Sequence, residues 1–241
     1  SGLARALAEG LAVETGVRVT STRRESGKWA LRAEDGREWG GFDVVVCAVP
    51  APQAPPFLES SSTLASLVSR AVFLPCHAVM VEWAEPLDVG FDAAFVHDSP
   101  LGWVAREASK PGRAPSNAWL LHSTAAFSAA NLELRADEMT EVLTGAFARS
   151  LGRSLPAIAG AAVHRWLYAR ASQAVADASP WDPAQRLGVC GDWLVGDRVE
   201  DAWLSAERLV EAMIGEGGRR AGRSGSAGSD ATGGAEPRAS T

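Results

Sequence analysis

In the stretch "RLGVCGDWLVGDRVEDAWLSAERLVEAMIG", Arg186 to Gly215, Gly191 and Asp192 close a short apolar run, and the acid pair Glu200 and Asp201 opens an amphipathic one. A strand, a Gly-Asp turn and a helix whose first N–H groups lack partners make a receptor for something polar or anionic, because the helix dipole is positive at that end. The plainer reading is a strand-loop-helix connection in which Glu200 and Asp201 only stabilise the helix they begin. Other chemistries lack their residues. His77, His97, His122 and His164 show no HExxH or paired Cys/His spacing, so no metal site is expected, and no GxSxG points to a serine hydrolase. Cys47, Cys76 and Cys190 are widely spaced without CxxC, which predicts reduced, packed thiols rather than a disulfide.

The elements that must position these residues follow from composition and pattern. A chain of 241 residues with 46% apolar content is long enough for one large domain or two small ones with real cores. The net charge of −6 and the scarcity of lysine (Lys28 and Lys110) predict no nucleic-acid partner, which would need a clustered basic face. The longest apolar run, Val44 to Pro50, falls far short of the roughly 20 residues needed to cross a bilayer. No secretion signal is read either, so a cytoplasmic protein without a membrane partner is expected. The sequence opens at Ser1 directly inside a helical pattern, Leu3, Leu7 and Leu11, ended by Gly16, and reads as the later part of a longer protein.

After that helix, "VRVTSTRRE" and "KWALRAEDGREW" predict a meander with a two-residue hairpin turn at Asp35-Gly36. "FDVVVCAVP" predicts a strand covered on both faces, and "PAPQAPPF" a crossover. "HAVMVEW", "GWVARE", "NAWLLHST" and "AAVHRWLYAR" then read as strands, interrupted by a helix from Asp137 to Leu151 that buries Met139, Val142, Leu143, Ala146 and Phe147 and stops at Gly152. "LGVCGD" and the helix from Glu200 to Ile214 return to the first style. The expected organisation is α/β with an inserted α+β unit: 1–51 and 183–215 form the first domain, 52–182 the insertion, and 216–241 a disordered tail.

The segments "GVRVTSTRRESGKWALRAEDGREWGGFDVVVCAVPAPQA", "GWVAREASKPGR", "AWLLHSTAAFSAANLE", "HRWLYARA" and "GVCGDWLVGDRVEDAWLS" resemble, in order and style, the flavin-dependent amine oxidase superfamily, most closely its bacterial renalase-like branch. The resemblance implies FAD bound by a partial Rossmann-like domain, and a substrate domain with an antiparallel sheet. It implies Val19 at the adenine end, Ala48, Val49 and Pro50 beside the cofactor, and Gly191 and Asp192 near the ribityl and pyrophosphate region. In "VEDA" it implies helix-start N–H groups of Val199, Glu200, Asp201 and Ala202 at the flavin pyrimidine.

The resemblance also matches "HRWLYA" to a strand bordering the flavin face, which implies Trp166 and Tyr168, on one side of that strand by the period of two, as the substrate-pocket wall; the alternative is core aromatics. Trp103 and Trp119 are expected in sheet packing, while Arg106 and Arg113 would suit a carboxylate-bearing substrate. The implied partners are a small hydride donor and an acceptor such as oxygen; a non-catalytic member that binds a ligand or partner is the alternative, and the oligomeric state is left open.

Two departures stand out. No GxGxxG follows a strand, the nearest glycine cluster being "GEGGRR" after Ile214, so a diphosphate-binding turn is missing from this chain, which alone is expected to be inactive. Asp201 stands where the family has glycine. A carboxylate about 7 Å from a flavin anion would cost roughly 2 kcal/mol at an effective dielectric of about 20, or about 50 mV. Alternatively it caps the helix.

Overall fold

The computed structural model describes residues 2–175 and 179–224. Two compact units result, one from 1–70 with 175–241 and one from 71–174. In the first unit, α1 (Gly2–Leu7) buries none of its residues and gives way to a turn ending at Gly10, φ 82°, well before the predicted stop at Gly16. Leu3, Leu7 and Leu11 are all exposed, and a helix without a packed face is marginal at this length.

The strands β1 (Val19–Glu25), β2 (Lys28–Ala33) and β3 (Glu38–Phe42) form the predicted antiparallel meander. Its two-residue turn is Ser26-Gly27, with φ of 48° and 81°, the paired positive values that a type I′ hairpin demands. Asp35-Gly36 lies instead in a four-residue connection, 34–37, closed by the Ala33 N–H on the Arg37 carbonyl at 2.9 Å.

Next comes β4 (Val45–Cys47). Cys47 is buried but Val46 is exposed, so one face of this strand is uncovered where cover on both was expected. The proline-rich stretch coils into two 3-10 turns, and α2 (Ser62–Ser69) follows, capped by Ser61 Oγ, which accepts from the Leu64 N–H.

The second unit is built from β5 (Phe73–Trp83), β6 (Ala93–Phe95), β7 (Leu101–Arg106), β8 (Ala118–Ser123), α3 (Ala125–Ala130), α4 (Ala136–Leu151) and β9 (Ile158–Ala171). Its strands form one antiparallel sheet in the order β6-β7-β8-β5-β9. Val79, Val81, Trp83, Val104, Trp119 and Leu121 alternate onto one face and meet Met139, Leu143, Ala146 and Phe147 of α4 in a continuous core. Gly152 ends α4 in the left-handed conformation, φ 64°, as predicted. The unit closes on itself where it begins, since Phe73 pairs with Ala171 and the Ser172 N–H bonds the Val72 carbonyl at 2.8 Å.

The chain then returns to the first unit with β10 (Trp181–Asp182), β11 (Leu187–Val189) and α5 (Val199–Ser224). The sheet order is β10-β11-β4, with β11 parallel to β4. Gly188 lets α5 lie close: a Cβ there would stand 2.8 Å from Leu209 Cδ1. The backbone stays helical past Gly215 to Ser224, where the sequence predicts a disordered tail; residues 225–241 lie outside the described residues. No helix among the described residues is long and apolar enough to cross a membrane.

Candidate functional site

Parallel pairing of β4 and β11 aligns Val189 with Cys47, so Ala48-Val49-Pro50 and Cys190-Gly191-Asp192 leave the sheet at the same ends, tied by the Cys190 N–H on the Cys47 carbonyl at 3.1 Å. The carboxyl ends of such strands are where open α/β sheets bind ligands. Gly191 leaves no room for a side chain: its Cβ would stand 2.4 Å from Nε1 of the buried Trp193. Its N–H donates to Ser205 Oγ at 2.9 Å, and that hydroxyl donates to the Ala202 carbonyl, so the turn is fastened to the first turns of α5. The half-buried Asp192 accepts from the Trp193 N–H at 2.9 Å.

At the start of α5, one oxygen of Asp201 accepts from the N–H groups of Asp197, at 3.1 Å, and Arg198, at 2.9 Å. The carboxylate therefore folds back over the preceding loop, half of a capping box, and Gly196 makes space for it, since a Cβ there would lie 2.4 Å from the same oxygen. The N–H groups of Val199 and Glu200 find no acceptor among the described residues, and Val199 is 74% exposed. The carboxylate thus caps the helix start, which is the second of the two sequence readings of Asp201. Asp201→Ala is expected to lower stability by about 1 kcal/mol, within the roughly 0.5–2 kcal/mol of a lost helix-start acceptor, while Asp201→Asn retains most of it. Thermal unfolding of the two variants checks this, and equal losses would count against the cap.

Val19 lines a cavity of about 620 Å³ together with Val49 of the β4 end and with Arg18, Gln53, Pro56 and Phe57. Ala33, its partner across β2, spends its N–H on Arg37 and its carbonyl on Gly36, while the Arg18 carbonyl takes the Glu34 N–H. By the alternation of an antiparallel ladder, the N–H and C=O of Val19 face the open edge of β1.

In the second unit the sheet face opposite α4 holds a cavity of about 730 Å³ lined by Cys76, Trp103, His122, Trp166, Tyr168 and Arg170, among others. Trp166 and Tyr168 are thus together on it, Trp166 53% exposed and Tyr168 edge-on to Phe73 at 5.8 Å. Trp119 packs in the core against Phe147 and Phe91 as expected. Trp103 does not: it stands in the cavity beside His122, ring centroids 5.2 Å apart, because a register shift between Leu101 and Trp103 turns it to that face. Arg106 and Arg113 lie away from the cavity, engaged by Asp92 and by Glu107, and the arginine that lines it is Arg170.

Burial, then the charge of Lys110, hold His122 below its ordinary pKa, so it is neutral at pH 7. Burial pushes all three thiols up, and none is in a disulfide. Beneath the cavity floor His77 is buried against Ser123 and Ser128, with Nδ1 3.0 Å from Ser128 Oγ.

The profile of the family described as flavin containing amine oxidoreductase matches residues 1–214. The chain belongs to that family. Among solved structures, it is similar to an assigned protoporphyrinogen oxidase from an Exiguobacterium species, at 14% identity and a TM-score of 0.72 over 89% of this chain and 51% of the other. It is also similar to an oxidoreductase from Methanosarcina mazei, at 20% identity and a TM-score of 0.57 over 81% of this chain and 49% of the other. The chain thus spans about half the length of each, and at these identities the likeness speaks to fold alone. The flavin amine oxidoreductase family brings with it FAD as cofactor and an FAD-binding fold with antiparallel sheets.

Proposed function

We propose that this chain supplies one part of the FAD site and the substrate pocket of a cytoplasmic oxidoreductase of the renalase-like branch, with 1–51 and 183–215 forming its portion of the cofactor domain and 52–182 the substrate domain. The carrying observation is the joint exit of Ala48–Pro50 and Gly191–Asp192 from parallel neighbours, fastened through Ser205 to a helix start with two unspent N–H donors. These groups fit the two ends of FAD. The outward N–H and C=O of Val19 would meet the adenine, and Asp192 would accept from ribityl or ribose hydroxyls. The helix-start N–H groups of Val199 and Glu200, with Ala202 behind them, would face the pyrimidine carbonyl. When bound, the flavin supplies a hydride acceptor at N5 and passes the electrons to oxygen or another acceptor.

The protein's part is to hold groups in place. N–H donors aimed at the pyrimidine edge stabilise negative charge as it develops there, and Trp166 and Tyr168 wall the donor's pocket. Asp201, whose carboxylate accepts from the N–H groups of Asp197 and Arg198, sets the helix start.

The chain has no GxGxxG, so it can hold FAD at the ends but not at the diphosphate. FAD titration of the chain alone is expected to show weak, saturable binding that desalting removes, with no amine-dependent oxygen consumption. Supplying a βαβ unit with the fingerprint upstream should give a yellow protein with near one flavin per chain. If the supplemented protein stays colourless, the reading fails and the non-catalytic alternative takes its place.

A further inference from the structure

The five-stranded sheet ends differently at its two edges. One edge is β6, three residues long; the other is β9, fourteen residues long, and no strand among the described residues pairs with its outer side. Short strands, prolines, charges and bulges are the means by which proteins keep an open edge from pairing. From Gly160 to Val163 β9 has no proline, no charge and no break in register, and Gly160, Ala161 and Ala162 are exposed. The direction of its bonding follows from β5. The His77 N–H turns towards β8, to Ser123 Oγ, and the Trp83 N–H turns the same way, to the Asn117 carbonyl, whereas the Ala84 N–H turns to the Ala157 carbonyl. Even-numbered residues of β5 therefore bond β9, and by alternation the N–H and C=O groups of Ala161, Val163 and Arg165 face outward.

The side chains select one kind of partner. The ladder with β5 runs without a shift from Gly160 to Trp166, and Val163 is the middle of that run. The three residues before it, Gly160, Ala161 and Ala162, are small; the three after it, His164, Arg165 and Trp166, are large. When a second β9 is laid antiparallel about a twofold axis at Val163, Gly160 faces the partner's Trp166, Ala161 its Arg165 and Ala162 its His164. Each large side chain meets a gap. The pairs 160–166 and 162–164 are of the non-hydrogen-bonded kind, in which opposite side chains stand closest. A Cβ on Gly160 would have nothing within 4 Å, so that space is open in the single copy.

Charge agrees with shape. On the α4 side of β9, Ala161 and Val163 line a groove of about 540 Å³ with Asp137, Thr140, Glu141 and Thr144. Asp137 is paired with Arg135, but Glu141 is in no ion pair among the described residues. Arg165 spends Nη1 on the Leu132 carbonyl and on Glu133 of its own chain. A guanidinium has donors to spare, so the partner's Arg165, lying across from Ala161, can meet Glu141 without leaving Glu133. The twofold axis repeats the contact.

We propose that β9 is the interface through which two copies of this chain join into one continuous sheet, antiparallel about Val163. Trp166, a wall of the cavity described above, is then flanked by the partner's Gly160. The inference rests on the second unit alone and not on the cofactor reading.

Sedimentation velocity of the chain over a hundredfold range of concentration should show a reversible monomer–dimer equilibrium, because the facing strips are of the small size typical of weak complexes. Ala161→Pro removes an outward N–H and leaves the bonds to β5 in place, so it should abolish the dimer with little change in melting temperature. Gly160→Trp should abolish it as well, by setting tryptophan against tryptophan, and adding Trp166→Ala to that variant should restore it. Glu141→Lys should weaken it severalfold. A chain that stays monomeric over the whole range, a dimer that Ala161→Pro and Gly160→Trp leave intact, or a double variant that stays monomeric overturns the proposal. So does a monomeric flavin-loaded protein at the same concentrations, its upstream segment taking the β9 edge instead. Flavin loading is read separately, so the dimer can fail while the cofactor assignment stands.

Discussion

Phe147→Ala is expected to lower the unfolding free energy by about 3–5 kcal/mol, the usual loss for a fully buried aromatic. Its ring is 1% exposed on the inner face of α4 and lies 5.4 Å from that of Trp119, which in turn meets Phe91 edge-on at 6.0 Å. Removing it leaves a void that neither the helix nor the sheet can close without breaking the Met139–Leu143–Phe147 row. Urea unfolding followed by circular dichroism measures the effect, as a lower midpoint with an unchanged slope. A loss under about 1 kcal/mol would mean that α4 does not supply the core of its unit. Val142, half-buried at the margin of the same face, is the internal control: Val142→Ala should cost clearly less.

Gly191→Ala should show the second large effect, and in two readouts at once. The backbone is extended at this glycine, φ 164°, which alanine tolerates. The obstacle is the Trp193 ring, at 2.4 Å from the added methyl group. Trp193 is fully buried and has nowhere to go without shifting the Asp192–Leu194 turn and the Gly191–Ser205 bond. Overpacking of this kind costs about 1–3 kcal/mol. In the flavin-loaded protein the same shift displaces Asp192, so FAD affinity should fall with stability. Trp193→Leu in the Gly191→Ala background tests the cause. If the ring is the obstacle, the double variant is more stable than the two separate losses predict. Strict additivity would locate the damage elsewhere.

The parts of the fold that were legible in the sequence are those where one period persists long enough to outweigh local noise. Met139, Leu143, Ala146 and Phe147 trace a helical face over more than two turns and Gly152 closes it, so α4 was readable. The alternation in β5, β8 and β9 was readable for the same reason. In α2, α3 and β6 the elements are too short for a period to register, and their stability comes from what they pack on. The opening helix failed in the opposite way: Leu3, Leu7 and Leu11 have the right spacing, but no surface among the described residues covers them.

At the site, period two placed Trp166 and Tyr168 together, yet Trp103 was misread because a bulge changes the phase of β7. That shift is a property of the β7–β8 register and leaves no mark in "GWVARE". Arg170 was missed for a related reason. Among many arginines, only pairing with Leu74 on β5 shows which one reaches the cavity. The capping role of Asp201 was open in the sequence and was settled by where its carboxylate lies.

The hydrogen bond between Ser172 and Val72, with the Phe73–Ala171 pair beside it, means that 71–174 enters and leaves through a single doorway. To the host chain an insertion of this kind counts as a short loop however long it is, because its own ladder has already brought the ends together and the closure entropy falls on the insert. It is therefore a cassette in the engineering sense. A related antiparallel sheet with the same doorway could be exchanged for it, carrying its own pocket walls, while β4, β11 and the α5 start keep their places. On the proposed function, donor choice and cofactor grip would then be separable by recombination.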